Sequence, residues 1–222
     1  MEDIIHIEIL VEDKSGGILL EEILKKYIND REGIYYRINS FKGIGRIPKK
    51  IDKVHKMKTN RLLTDLPIYL KGLNNSLRTL PYKTAVFVVV DNDDEDCVLL
   101  KRKLLEICNK LNLNIQIFFC IAIEEMEAWL LGDPEAIAKA YSSVKKQVLQ
   151  SYSQDSICGT WEYLADAVYK GGFTRLKKEA ASYEIGKQKC IWAKEIGTYL
   201  NIRNNKSPSF NYFISKLDLL CG

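Results

Sequence analysis

The run Ala85 to Val90, AVFVVV, is apolar at every position. Strand side chains alternate between the two faces of a sheet, so such a segment must be covered on both sides. A sheet covered on both faces is most simply a parallel one flanked by helices, and the surrounding sequence agrees. Ile4 to Val11, Gly33 to Ile38 and Ile115 to Ile121 read as further strands. Between them, helical spacing runs over Ile18 to Ile28, over Arg61 to Leu80 before Pro81, and over Asp94 to Leu111. Ser15-Gly16-Gly17 reads as a turn, with Ser15 as the cap of the first helix. Another helix is expected from Glu124 to Leu131.

Strands alternating with helices predict βαβ units and a mostly parallel sheet. Beyond Pro134 the pattern changes to helical stretches near 134–150, 159–169, 188–200 and 209–220. The expected fold is therefore α/β: a mostly parallel sheet with helices on both faces over residues 1–133. An α-helical C-terminal extension, 134–222, is expected to pack on that core.

Composition bounds the remaining possibilities. With 46% hydrophobic and 28% charged residues over 222 positions, the chain has a globular profile. No apolar run is long enough to cross a bilayer. The opening MEDIIHIEILVED lacks the basic segment and cleavage site of a signal peptide, so a cytoplasmic location without a membrane partner is expected. Six cysteines without a CxxC pair support neither a zinc cluster nor a disulfide framework. Cys108 and Cys120 read as small core residues, and the two histidines are too few for a histidine-based metal site. A net charge of +4 permits a nucleic-acid partner without requiring one. Its distribution is more informative: basic residues crowd Lys42 to Lys58 and Arg175 to Lys194, and acids crowd Asp91 to Asp96 and Glu124 to Glu127.

The acids fall at particular places in the expected fold. Glu12 ends the first strand, Asp91-Asn92-Asp93 ends the third, and Glu124 and Glu127 follow the fourth. The carboxyl ends of parallel strands share one edge, where ligands bind, so these groups would converge there. Carboxylates suit hard cations such as Mg²⁺ or Mn²⁺. Each group also has an ordinary reading: strand-end aspartates cap helices, Glu12 alone suits a turn, and Glu127 alone suits an ion pair. On a helical wheel Glu127 falls on the apolar side, Glu124 at its edge, and Glu125 points away. A carboxylate on a buried face demands a cation, either a metal ion or a Lys or Arg partner.

The stretch Lys42-Gly43-Ile44-Gly45-Arg46-Ile47-Pro48-Lys49-Lys50 reads as a functional loop. It could offer backbone N–H groups and the cations Lys42, Arg46, Lys49 and Lys50 to phosphates, or be simply a basic loop. Trp129, Phe210 and Phe213 read as core rather than as stacking platforms.

A glutamate after the first strand and D-x-D after a later one resemble the Toprim fold of topoisomerases, primases and overcoming-lysogenization-defect nucleases. More specifically, the chain resembles a Toprim-related bacterial family often encoded beside ABC-type ATPases. The matching segments are LVEDKSGGILLEEIL, FKGIGRIPKK, VVVDNDDED, IEEMEAWLLGDPEAI and SPSFNYFISKL. The resemblance implies metal-dependent hydrolysis of nucleic-acid phosphodiester bonds, with Mg²⁺ or Mn²⁺ held by Glu12, Asp91, Asp93 and Glu127. It implies Glu12 also as a general base, Asp94 or Glu124 serving a second ion, and Lys187 or Lys189 steadying transition-state charge. It further implies a role in antiphage defence with an ABC- or SMC-type ATPase partner. Related nucleases carry an acid four residues after the glutamate, where this chain has Gly16; a second ion then depends on Asp13. A non-catalytic Toprim scaffold that binds nucleic acid or the ATPase is the alternative. A phosphatase-like use of D-x-D fits poorly, because such enzymes place the motif on the first strand.

Overall fold

The computed structural model describes residues 4–49, 51, 59–93, 96–154 and 159–222. Strands β1 (Ile5–Val11), β2 (Ile34–Ser40), β3 (Lys83–Asp91) and β4 (Gln116–Ala122) form one sheet in the order β2-β1-β3-β4. All three pairings are parallel. From β1 the chain moves outward to β2, then returns to place β3 on the opposite side of β1. That reversal makes the carboxyl ends of β1 and β3 the switch point at which open α/β sheets bind ligands.

The alternation of β3 assigns its two faces. Ala85, Phe87 and Val89 join a core cluster with Leu19, Ile196 and Phe213. Val86, Val88 and Val90 join a second cluster with Leu66 and Leu104. The first face is covered by α1 (Lys14–Ile28), the second by α2 (Leu62–Leu77) and α3 (Cys97–Leu111). Each large apolar side chain buried this way contributes roughly 1.5–3 kcal/mol, which is why a run apolar on both faces fixes a two-sided architecture.

The remaining helices are α4 (Glu127–Leu131), α5 (Pro134–Ala140), α6 (Lys146–Ser151), α7 (Thr160–Val168), α8 (Gly172–Glu179), α9 (Ser182–Tyr199) and α10 (Pro208–Cys221). They share the first core cluster with the sheet. Helix α9 lies along α1 and α5, and α10 against β4. Lys26 of α1 donates to the carbonyls of Gly197 (2.8 Å) and Leu200 (2.7 Å), satisfying the end of α9.

The EAWLLGDP and SPSF segments knit this region together. Trp129 is fully buried, and its indole N–H donates to Ser209 Oγ at 3.0 Å. Phe210 and Phe213 pack against its ring, so all three aromatic residues are core, as expected. Asp133 Oδ1 accepts from the Ala136 amide and its Oδ2 from the Asn201 amide. Ser207 Oγ caps α10 through the Phe210 amide.

Several boundaries differ from expectation. Helix α1 begins at Lys14, capped by Asp13, whose Oδ1 accepts from the Gly16 amide; Ser15 Oγ donates to that carboxylate instead of capping. Ser15, Gly16 and Gly17 are thus the buried first turn of the helix rather than a turn before it. Gly17 lies close against β2: a Cβ there would stand 2.2 Å from Ser40 Oγ, which would have to turn aside. Helix α3 begins at Cys97, because Asp96 caps it by accepting from the Val98 and Leu99 amides. The stretch 134–150 divides into α5 and α6. Helix α8 was not expected, and α9 starts at Ser182 rather than near 188. Helix α8 is short and mostly polar, and the first turns of α9 are largely exposed, so few apolar residues mark either of them in the sequence.

Cys120 is buried, Cys108 half-buried, and all the described cysteines are free; Cys158 lies outside the described residues. Among the described residues, no helix is long and apolar enough to cross a membrane.

Candidate metal centre

The strand ends bring Glu12, Asp91 and Glu127 together with Asp13 and Lys189. Asp91 is the last residue of β3, and Glu12 directly follows the last residue of β1. Glu127 starts α4, with its side chain buried. Lys189 reaches in from α9, its Nζ 3.1 Å from Glu127 Oε2 and 3.4 Å from Glu125 Oε1.

The electrostatics of this cluster are strained. Burial pushes the Glu12 carboxyl up to about 7, helped by Asp93 and Asp13. Burial, then the charges of Glu12 and Glu127, hold Asp91 well above the usual carboxylate range. Burial also pushes Glu127 up to about 7, against the opposing pull of Lys189. Burial disfavours the Lys189 ammonium, yet Glu127, Glu125 and Asp91 outweigh it and raise its pKa. Glu12 Oε2 and Asp91 Oδ1 are buried and accept no hydrogen bond from the described residues. A buried carboxylate oxygen without a donor is costly, and a cation is the usual remedy.

The fit to a divalent ion is chemical rather than geometric. An all-carboxylate donor set and two orphaned oxygens suit Mg²⁺ or Mn²⁺. Even so, among the described residues no three acidic, histidine or cysteine side chains stand arranged to hold one ion. Lys189 already supplies Glu127 with a cation, the second of the two solutions open to a buried carboxylate.

The other expected residues are placed as follows. Asp93 is exposed, with a left-handed backbone (φ 44°), and bears on Glu12. Glu124 is buried; its amide donates to Asn92 Oδ1 at 2.6 Å and its carbonyl accepts from the Asp93 amide. Lys187 is not brought to the cluster; it is exposed, its ammonium 4.3 Å from the Tyr183 ring centroid. Asp94 and Lys50 lie outside the described residues.

Lys42, Arg46 and Lys49 are exposed, as a phosphate-binding loop requires. The amides of Lys42, Gly43 and Arg46 donate inward, to Asn60 O, Glu12 O and Thr64 Oγ1. They brace the loop against the start of α2 and the end of β1.

Glu125 is the participant that sequence reasoning missed. It accepts from Thr160 Oγ1 (3.0 Å) and the Trp161 amide (3.1 Å), so the N-terminus of α7 holds it beside Lys189. The helical wheel turned it away because a helix was expected from Glu124. The chain is not helical there: α4 begins at Glu127, and Glu124 has φ 68°. Gly16 sits where a further acid was sought, and the site has no room for one. A Cβ on Gly16 would lie 2.8 Å from Val11 Cγ2 and 3.1 Å from Asp13 Oδ1.

The chain belongs to the family described as Domain of unknown function (DUF4276), whose model matches residues 11–218. No curated protein and no solved structure matches the chain.

Proposed function

We propose that this DUF4276 chain is a Mg²⁺- or Mn²⁺-dependent nuclease that hydrolyses nucleic-acid phosphodiester bonds. The observation that carries this reading is the pair of orphaned carboxylate oxygens, Glu12 Oε2 and Asp91 Oδ1, buried at the switch point of the sheet. Glu12 and Asp91 would hold the ion, with Glu127 joining them and Asp93 at the solvent edge. When bound, such an ion supplies the Lewis acidity that phosphodiester hydrolysis needs. Lys189, anchored by Glu125 and Glu127, places a fixed positive charge beside the site, suited to the charge that develops on a phosphate in the transition state. The exposed cations of the 42–49 loop suit the strand's other phosphates.

Labelled single- and double-stranded DNA and RNA incubated with the protein and Mn²⁺ test the proposal. Cleavage that is lost in EDTA and in Asp91→Ala supports it. Cleavage undiminished in Asp91→Ala overturns the assignment.

Two observations favour a second reading, a scaffold that binds nucleic acid or an ABC-type ATPase without cutting. Lys189 neutralises Glu127 in place, and Gly16 leaves no space for another acid. On this reading Mn²⁺ does not bind, and Asp91→Ala changes only stability.

A further inference from the structure

Between the 42–49 loop and α3 lies a cleft of about 510 Å³, within the range of roughly 300–1,000 Å³ typical of small-ligand pockets. Its floor is aliphatic: Leu63, Leu100 and Ile107 rise from the core on the α2–α3 side of the sheet. Its rim is cationic from two directions, with Arg46 and Lys49 on the loop and Lys103 and Lys110 on α3. Glu106 also lines it, so the cations outnumber the acids there. Asn92 and Asp93 line the end next to β3 and directly follow Asp91, so the cleft adjoins the metal centre.

An apolar floor under a ring of cations matches a flat, weakly polar base attached to a phosphate. Paired bases in a duplex are stacked inside and present only their edges, whereas an unpaired base can be turned into a concave site. We propose that this cleft binds one unpaired nucleotide of a strand whose neighbouring phosphate reaches the Glu12–Asp91 centre. Lys103 and Lys110 of α3 form the second wall of its phosphate grip. The inference rests on the nuclease reading for its orientation but not for its binding. No aromatic ring is among the described lining residues, so the cleft takes the base by shape and charge, without the affinity of about 1–3 kcal/mol per base that stacking on a ring adds.

Fluorescence anisotropy in EDTA tests this without catalysis. The probes are labelled oligothymidylate, oligouridylate and a blunt DNA hairpin. Both single strands are expected to bind about tenfold more tightly than the hairpin; a DNA–RNA difference would identify the sugar preferred. Lys103→Glu/Lys110→Glu is expected to weaken single-strand binding about tenfold and reduce the log–log salt slope by about 1.4, at about 0.7 per phosphate contact. Lys71→Glu/Arg102→Glu makes the same charge change on exposed positions outside the cleft and is expected to alter affinity less than about twofold. Equal binding of hairpin and single strands, or equal loss in both double variants, overturns the proposal. Mn²⁺ titration separates the two readings: a centre that binds Mn²⁺ without single-strand preference overturns the cleft alone. Single-strand preference without Mn²⁺ binding overturns the nuclease alone.

Discussion

The Lys189 ammonium stands between Glu127, at 3.1 Å, and Glu125, at 3.4 Å, so α9 delivers a positive charge to the start of α4. This pairing ties the helical C-terminal region to the strand-end carboxylates. It also makes the stability of the centre depend on residues distant in sequence. Removing one member of a buried pair strands the other charge, which costs about 3–5 kcal/mol.

Lys189→Met is therefore expected to destabilise the metal-free protein by about 3 kcal/mol in urea unfolding. Lys189→Met/Glu127→Gln is expected to recover part of that loss, because the more buried of the two stranded charges is gone while Glu125 keeps its Thr160 and Trp161 donors. Equal stability of the single and double variants would show that the pair is not what holds Glu127.

The raised carboxyls give the metal-free protein a pH signature. Glu12 and Glu127 sit near 7 in the folded state against an ordinary 4.5. Between those values the folded chain holds protons that the unfolded chain has released, so these groups make stability fall as pH rises from about 4.5 to about 7. Melting temperatures across that window, wild type against Glu127→Gln, isolate the effect from the rest of the surface. The decline is expected to be shallower in the variant; parallel profiles would contradict the burial of Glu127 as a charge.

Gly16→Asp asks whether the centre can accept the missing acid. With Val11 Cγ2 and Asp13 Oδ1 already against that position, overpacking is expected to cost about 1–3 kcal/mol without raising the number of Mn²⁺ ions bound. A second bound ion without loss of stability would show that the first turn of α1 can yield.

Asp133 separates structural motif from site. Asp133→Ala leaves two amides, of Ala136 and Asn201, without their acceptor, and is expected to cost about 2–3 kcal/mol. Mn²⁺ affinity of the folded variant is expected to match wild type. Loss of Mn²⁺ binding at unchanged stability would move Asp133 into the centre.

The architecture was legible because its signal is local. Ala85 to Val90 could be buried only on both faces, and the helix-strand alternation then implied parallel pairing and a shared edge for Glu12 and Asp91. What escaped the sequence was set by tertiary contacts. Glu125 looked solvent-facing because helical periodicity was applied to residues that turn sharply at Glu124. Lys189 could be named but not separated from Lys187, since only the packing of α9 on α1 decides which of the two faces the strand ends. The Gly16-Gly17 pair resembled a turn, whereas it belongs to the buried first turn of α1, set against Val11 and Ser40. The cleft beside α3 needed two elements far apart in sequence, and no single motif contains it.

The most direct test of the central claim is calorimetric titration of Mn²⁺ into the whole chain and into Asp91→Ala, which requires neither substrate nor partner. Saturable binding by wild type that is lost in Asp91→Ala is the expected result. Absence of binding to wild type, or equal binding by both, would contradict a metal centre built on Asp91 and leave the scaffold reading in its place.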